Sequence, residues 1–406
     1  MTLAHKIRRY ATILALILTL AAALLAAGCG QTADDENMPD VVKIGFIGPF
    51  TGTNSAEGLA ARDAFQMYIE KAALRHNLPY DVTVVAYDDA SKPEVGAEAA
   101  NNLVADENVM AVAGHWNSPV AETTIPIFIS NQCPMVIWGA ISESLTNEAN
   151  YPYITRVVPT DSQENQPLAD YVLGDLGYSK IFIIAANTSY GNSNTEAFKK
   201  QMATYSAQMT GYVQVNSGVT DFRKILRQAQ DSGCEAIFYG GTAYESALIA
   251  SQMHELGMED TLLFGVSGIA SEDFINTAGK EAAEGTISIF PGVNVESSEA
   301  YAKFLKEYEQ YSDNPIGAFT VYAYHTAQIV ISALENVDGV PTREKVTQAI
   351  ANIEIDGVMG HTTFDAIGQT TNPMCYLVIC QDGKWIAYDR SEYAKGIRAL
   401  PGRNIS

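Results

Sequence analysis

The stretch VVKIGFIGPFTG occupies residues 41–52, and its first seven residues hold five apolar side chains. A near-continuous apolar run of that length reads as a strand covered on both faces, the pattern of a parallel sheet. Working outward, Leu59–Arg75 reads as a helix, with Ala60, Ala64, Met67 and Ala72 among its apolar positions. VTVVAY at 82–87 is a second strand, and Pro93–Ala105 is a helix with proline in its first turn. Val109–Ala113, Val120–Ser130 and Met135–Trp138 continue the series as strand, helix and strand. Such alternation calls for a parallel sheet with helices on both faces.

The pattern restarts at KIFIIA, residues 180–185. Glu196–Gln208, Phe222–Ser232 and Tyr244–Leu256 read as helices, between strands at Tyr212–Val215, Ala236–Tyr239 and Leu262–Gly265. This predicts a second parallel sheet. Helices follow near 298–311, 317–335 and 342–352, and a β-hairpin region over 362–389 turns at Asp382-Gly383. Two similar α/β halves with no long linker predict a two-lobed molecule with a cleft between the lobes. The body after residue 40, about 365 residues, suffices for two domains.

In open parallel sheets ligands bind beyond the carboxyl ends of the strands, where helix N-termini offer free N–H groups and partial positive charge. Three junctions fit. Gly114-His115-Trp116-Asn117-Ser118-Pro119 supplies a hydroxyl, although a plain helix cap would read the same way. Trp138-Gly139-Ala140-Ile141-Ser142 permits close approach to backbone, and Ser189-Tyr190-Gly191 sets a ring where it can cover a ligand or pack on its own loop. Catalytic signals are weaker. Gly265-Val266-Ser267-Gly268 misses the G-x-S-x-G elbow by one place. Gly45, Gly48 and Gly52 fit neither a dinucleotide fingerprint nor a P-loop, and Asp88-Asp89 is more readily a capping pair than a catalytic one. The six histidines form no metal motif, so neither metal nor cofactor is expected.

The N-terminus carries Lys6, Arg8 and Arg9, then an uncharged run from Ala11 to Ala27, then Gly28 and Cys29. Basic start, apolar middle and small-residue end are a secretory signal. The run is roughly 17 residues, short of the about 20 that a spanning helix needs. A retained helix or plain secretion are the alternatives. Gly30–Asp40 (GQTADDENMPD) reads as a flexible acidic tether. The net charge of −22 argues against nucleic acid and against adhesion to anionic lipid, and loss of the basic leader makes the chain more acidic still. Export permits disulfides among Cys133, Cys234, Cys375 and Cys380. The last two, five apart on one strand, point to opposite faces.

Leu25-Ala26-Ala27-Gly28-Cys29 resembles a bacterial lipobox, which implies lipid on Cys29 and cleavage before it. The body resembles the leucine-binding family of type I periplasmic binding proteins, the receptors of branched-chain amino-acid ABC transporters. The elements that carry the resemblance are IGFIGPFTG (44–52), YDDASKP (87–93), GHWNSP (114–119), SLTN (144–147), NTSYG (187–191), FYGG (238–241), GAF (317–319) and VMG (358–360). The family fold implies an α/β molecule of two Rossmann-like lobes joined by three crossovers, with a ligand cleft between. Lobe one would be 41–158 plus 290–372, and lobe two 159–289 plus 373–403. The resemblance implies ligand contacts at Ser118, with Trp116 and Asn117 beside it, and at backbone around Gly139, Ala140, Ile141 and Ser142. The lid tyrosine would be Tyr190, and Phe319 an apolar wall.

Two departures bear on the ligand. The family's junction hydroxyl is replaced at Ile141, leaving Ser142 as its substitute. The acid that pairs with a ligand ammonium is Ser267 here, and a tyrosine sometimes found after FYGG is Thr242. Either another acid serves, with Glu57 in the first strand-to-helix loop as candidate, or the ligand lacks an ammonium. Trp116 and Trp138 can stack on a flat ligand or simply pack. The resemblance implies an extracytoplasmic lipoprotein that captures an amino acid or similar small polar molecule by cleft closure and hands it to a permease, without bond chemistry. A sensor of the same fold and an envelope hydrolase using Ser267 are the rival readings.

Overall fold

The computed structural model describes residues 38–75, 77–292 and 298–404. The leader, Cys29 and most of the tether lie outside them. β1 (Val41–Gly48), α1 (Ser55–Ala73), β2 (Asp81–Asp88), α2 (Pro93–Ala105), β3 (Val109–Ala113), α3 (Ser118–Ser130), β4 (Met135–Ile137) and β5 (Ile154–Arg156) build the first sheet and its helices. All pairings in this sheet are parallel, in the order β2-β1-β3-β4-β5. Val42, Ile44 and Phe46 of β1 pack with α1 on one face, while Ile47 packs with α2 and α3 residues on the other. That is why the opening run is apolar nearly throughout.

After β5 the chain enters α4 (Asp161–Ala169), then β6 (Lys180–Ala186), α5 (Ser189–Thr204), β7 (Gln208–Val215), α6 (Arg223–Asp231), β8 (Ala236–Gly240), α7 (Ala243–Glu255) and β9 (Leu262–Phe264). The short helices α8 (Glu272–Ala278) and α9 (Lys280–Ala283) lead to β10 (Ile287–Pro291). α10 (Glu299–Tyr311), α11 (Thr320–Glu335) and α12 (Arg343–Ala351) pack back on the first lobe. A small hairpin of β11 (Ile355–Gly357) and β12 (Gly360–Thr362) precedes β13 (Cys375–Gln381) and β14 (Lys384–Ala387). The second sheet has the order β14-β13-β10-β9-β8-β6-β7. Its β7-β6-β8-β9-β10 portion is parallel and repeats the strand order of the first sheet.

The second sheet differs from the expected all-parallel one at one edge, where β13 pairs antiparallel with β10 and with β14. The hairpin turns at Asp382 and Gly383, both at positive φ. Its two cysteines do face opposite ways: Cys375 packs with one core cluster and Cys380 with the other. Cys133, Cys234, Cys375 and Cys380 are all free thiols. The chain passes between the sheets after β5, after β10 and before β13. Position 289, where the second passage was expected, falls inside β10, which stays in the second sheet to Pro291.

Candidate functional site

A cavity of about 360 Å³ lies between the lobes, lined from both. Its walls come from strand-to-helix junctions at the point where strand order reverses in each sheet: Thr53 and Asn54 after β1, Trp116 and Asn117 after β3, Thr188 after β6, Gly241 and Thr242 after β8. This is where an open α/β sheet presents a crevice. Asn54 Nδ2 donates to Ser91 Oγ (2.9 Å), which joins two of the first lobe's loops at the rim.

The first junction is held from behind. His115 Nδ1 lies 3.0 Å from Asp89 Oδ2 and its Nε2 lies 2.9 Å from Thr124 Oγ1, all fully buried. Asp88 accepts from Phe50 N, Thr51 Oγ1 and Ala90 N. The acidic pair thus does structural work, one member fixing loops and the other fixing the histidine that precedes Trp116. Trp116 lines the cavity and meets Phe319 edge-on at 6.4 Å between ring centroids. Among the described residues, its indole N–H and Asn117 Oδ1 are buried and have no partner. Trp138 is different: it is fully buried, stacks on Phe46 and donates to the Ile47 carbonyl. It belongs to the core.

Ser118 opens α3, is 1% exposed, and its Oγ accepts from Ser142 N (3.2 Å). That bond ties the first two junctions together. Gly139 lies so close to Trp116 that a Cβ there would come within 2.9 Å of its Cα. Ser118, Asn117 and Gly139 line the cavity; Ala140, Ile141 and Ser142 do not. Ile141 is in the core, and the Ser142 hydroxyl faces Ser144 Oγ at 3.2 Å. From the second lobe, Tyr190 and Thr242 reach the cavity, with Tyr190 OH accepting from Gly268 N (3.0 Å) and Thr242 Oγ1 donating to Glu245 (3.2 Å).

Glu57 and Ser267 line an adjoining cavity of about 330 Å³ that shares Trp116, Tyr244, Gly268 and Phe319 with the first. Glu57 is not in a loop but in the first turn of α1. Burial pushes its carboxyl up to about 7, against hydrogen bonds from the Ala318 and Phe319 backbone, and Oε2 has no partner among the described residues. Ser267 Oγ donates to Glu164 Oε2 at 2.6 Å. Glu164 Oε2 also accepts from Ser267 N (3.3 Å), so two bonds tie Ser267 to α4.

Sequence reasoning missed a buried network at the passages between the sheets. Arg156, fully buried at the end of β5, donates to the Ser142 carbonyl (2.6 Å), Thr146 Oγ1 (2.8 Å) and Gln369 Oε1 (2.6 Å). Gln369 in turn donates to the Val158 carbonyl (2.8 Å). One guanidinium therefore joins the second junction to two of the three passages between sheets. Burial lowers Arg156 to about 10 and raises Asp161 and Glu164 of α4 to about 7 and about 8. Asp161 spans the lobes, accepting from Glu143 N (3.0 Å) and from Ser193 Oγ. No sequence motif marks these residues. Tyr244, Ser91 and Lys92, also on the cavity wall, were equally unflagged, although the last two lie in the quoted YDDASKP stretch.

A model of the periplasmic binding protein family matches residues 41–384, and the chain belongs to that family, in its leucine-binding type I branch. It is 27% identical over 347 residues to the Leu/Ile/Val-binding protein homolog 2 of Brucella abortus, covering 85% of this chain and 90% of that one. Among solved structures, the branched-chain amino-acid transporter binding protein LivJ of Streptococcus pneumoniae, in complex with isoleucine, matches with TM-score 0.78 at 23% identity, covering 86% and 98% of the two chains. An ABC transporter solute-binding protein of R. palustris, in complex with 4-hydroxybenzoate, matches with TM-score 0.75 at 23% identity, covering 86% and 95%. These structures share the two-lobed α/β fold.

Proposed function

We propose that the protein is the extracytoplasmic substrate-binding component of an ABC importer, anchored through lipid on Cys29, which captures a small carboxylate-bearing ligand and delivers it to a permease. The carrying observation is the cavity walled by matching junctions of both lobes. A ligand there bridges the lobes, so it stabilises the closed arrangement by its differential affinity for that form. Ser118, Asn117 and Gly139 would receive the carboxylate, Tyr190 and Thr242 would close over it, and Phe319 would wall the apolar side. No group in the cavity performs bond chemistry in this reading. The related proteins bind isoleucine in one case and 4-hydroxybenzoate in another, which frames the ligand class. The proposed lobes are 41–158 with the segment from after β10 to 372, and 159–291 with 373–403.

Tryptophan fluorescence tests the site. Of the three tryptophans, Trp116 lines the cavity. Ligand should change the emission of the wild type but not of Trp116→Phe. A change that survives this substitution would place the ligand elsewhere. The anchor is tested by membrane fractionation, in which Cys29→Ser should move the protein to the soluble fraction.

A further inference from the structure

The two cavities between the lobes meet but differ in charge. The first, which holds Asn117 and Ser118, has one charged side chain of each sign on its wall, Lys92 and Glu245. Glu245 is engaged there by Thr242 Oγ1 (3.2 Å) and Gly218 N (3.3 Å). Ser118 opens α3, a thirteen-residue helix whose first N–H groups and dipole favour an anion at that end. The adjoining cavity has Glu57 and Asp273 on its wall, and no lysine or arginine among its described lining residues. Trp116, Tyr244 and Phe319 border both cavities, so they form the neck between the two ends.

Glu57 is built into the far end. It is 9% exposed, and its carboxyl lies against Gly317, where a Cβ would come within 2.2 Å of Oε2. The Ala318 and Phe319 backbone hydrogen-bonds to it, so the first lobe holds it in place. Oε2 nonetheless has no partner among the described residues. A buried acceptor left unmatched is costly, and burial drives the carboxyl towards its neutral form, with Asp273 adding like charge. A cation in this cavity reverses both effects: it supplies the missing partner and favours the ionised carboxyl. The rings of the neck attract the same charge over their faces. Among the described residues no group of three or more His, Cys, Asp and Glu side chains could hold a metal ion, so an organic cation suits the site better.

We infer that the ligand carries a positively charged group at the end remote from its carboxylate, and that Glu57 is the residue that selects it. This rests on the binding-protein reading above and names a specificity residue of the same cleft. The carboxylate sits at Ser118, the chain passes Trp116 and Phe319, and the cation meets Glu57. The test is calorimetric titration of two matched pairs, L-lysine with L-norleucine and 5-aminopentanoate with pentanoate. Within each pair the members differ only by a terminal ammonium. The ammonium-bearing member is expected to bind at least about tenfold more tightly. Glu57→Gln keeps the side chain's shape and should erase that gap, with L-norleucine affinity held within about twofold and circular dichroism showing an intact fold. L-Norleucine as tight as L-lysine, or pentanoate as tight as 5-aminopentanoate, overturns the inference. A gap that survives in Glu57→Gln overturns it too, as does a wild type that binds neither L-lysine nor 5-aminopentanoate. L-Norleucine that matches L-lysine and compacts the protein overturns the inference alone and leaves the receptor reading standing. L-Lysine that binds through Glu57 without compaction overturns the capture reading and leaves the role of Glu57 standing.

Discussion

Glu164 and Asp161 show how burial changes single residues behind the cleft. Both are fully buried, each has one oxygen without a partner among the described residues, and burial raises them to about 8 and about 7 from ordinary values of 4.5 and 3.8. The folded state therefore holds protons that the unfolded chain releases. Their contribution to stability is full below about pH 4 and is lost as pH rises through about 7 to 8. Melting temperature should fall over that window, and Glu164→Gln should flatten part of the fall. An unchanged profile in the variant would mean that Glu164 is ionised in the fold. Individual residue roles were only partly legible in the sequence. Ser118, Trp116 and Tyr190 were marked by their place at strand ends. Glu164 was not, because nothing in EN at 164–165 announces that Ser267, about a hundred residues later, will hydrogen-bond to it.

At the scale of elements, most strands of the two parallel sheets were read within about a residue, since burial on both faces writes itself into composition, but β10 was not read and β7 starts at Gln208 rather than Tyr212. The start of α5 was missed as well. Its first turn, SYGNSN, has no apolar period, so the helix was expected from Glu196. It begins at Ser189 because Thr188 Oγ1 caps Gly191 N (3.0 Å) and because Gly191 lets the backbone approach β6 and β8. A Cβ there would sit 2.2 Å from the Ala186 carbonyl oxygen. β5 escaped notice for a related reason: three residues, one of them arginine, do not look like a core strand. That arginine ties the second junction to the passages between the sheets. Arg156→Ala leaves buried carbonyls and acids uncompensated and should cost about 3–5 kcal/mol in urea unfolding. Arg156→Lys should rescue little, because an ammonium cannot span Ser142, Thr146 and Gln369 together. Full rescue by lysine would show that charge alone matters at this position.

The whole molecule is one strand order used twice, with an antiparallel hairpin added to the second sheet. Duplication explains why the two-lobed form was readable from a restarting pattern, and why the cavity falls where both sheets reverse. Two of the passages between lobes lie side by side: Arg156 N donates to the Gly368 carbonyl, and Thr370 N to the Arg156 carbonyl. In the proposed capture, rotation of one lobe against the other would have this short, hydrogen-bonded strip at its base and the cavity at its mouth. Small-angle scattering measures that rotation directly. With isoleucine or 4-hydroxybenzoate at saturation, whichever raises the melting temperature, the radius of gyration should decrease, and Tyr190→Ala should weaken the effect. A radius of gyration that stays the same with the cavity demonstrably filled would contradict capture by lobe closure.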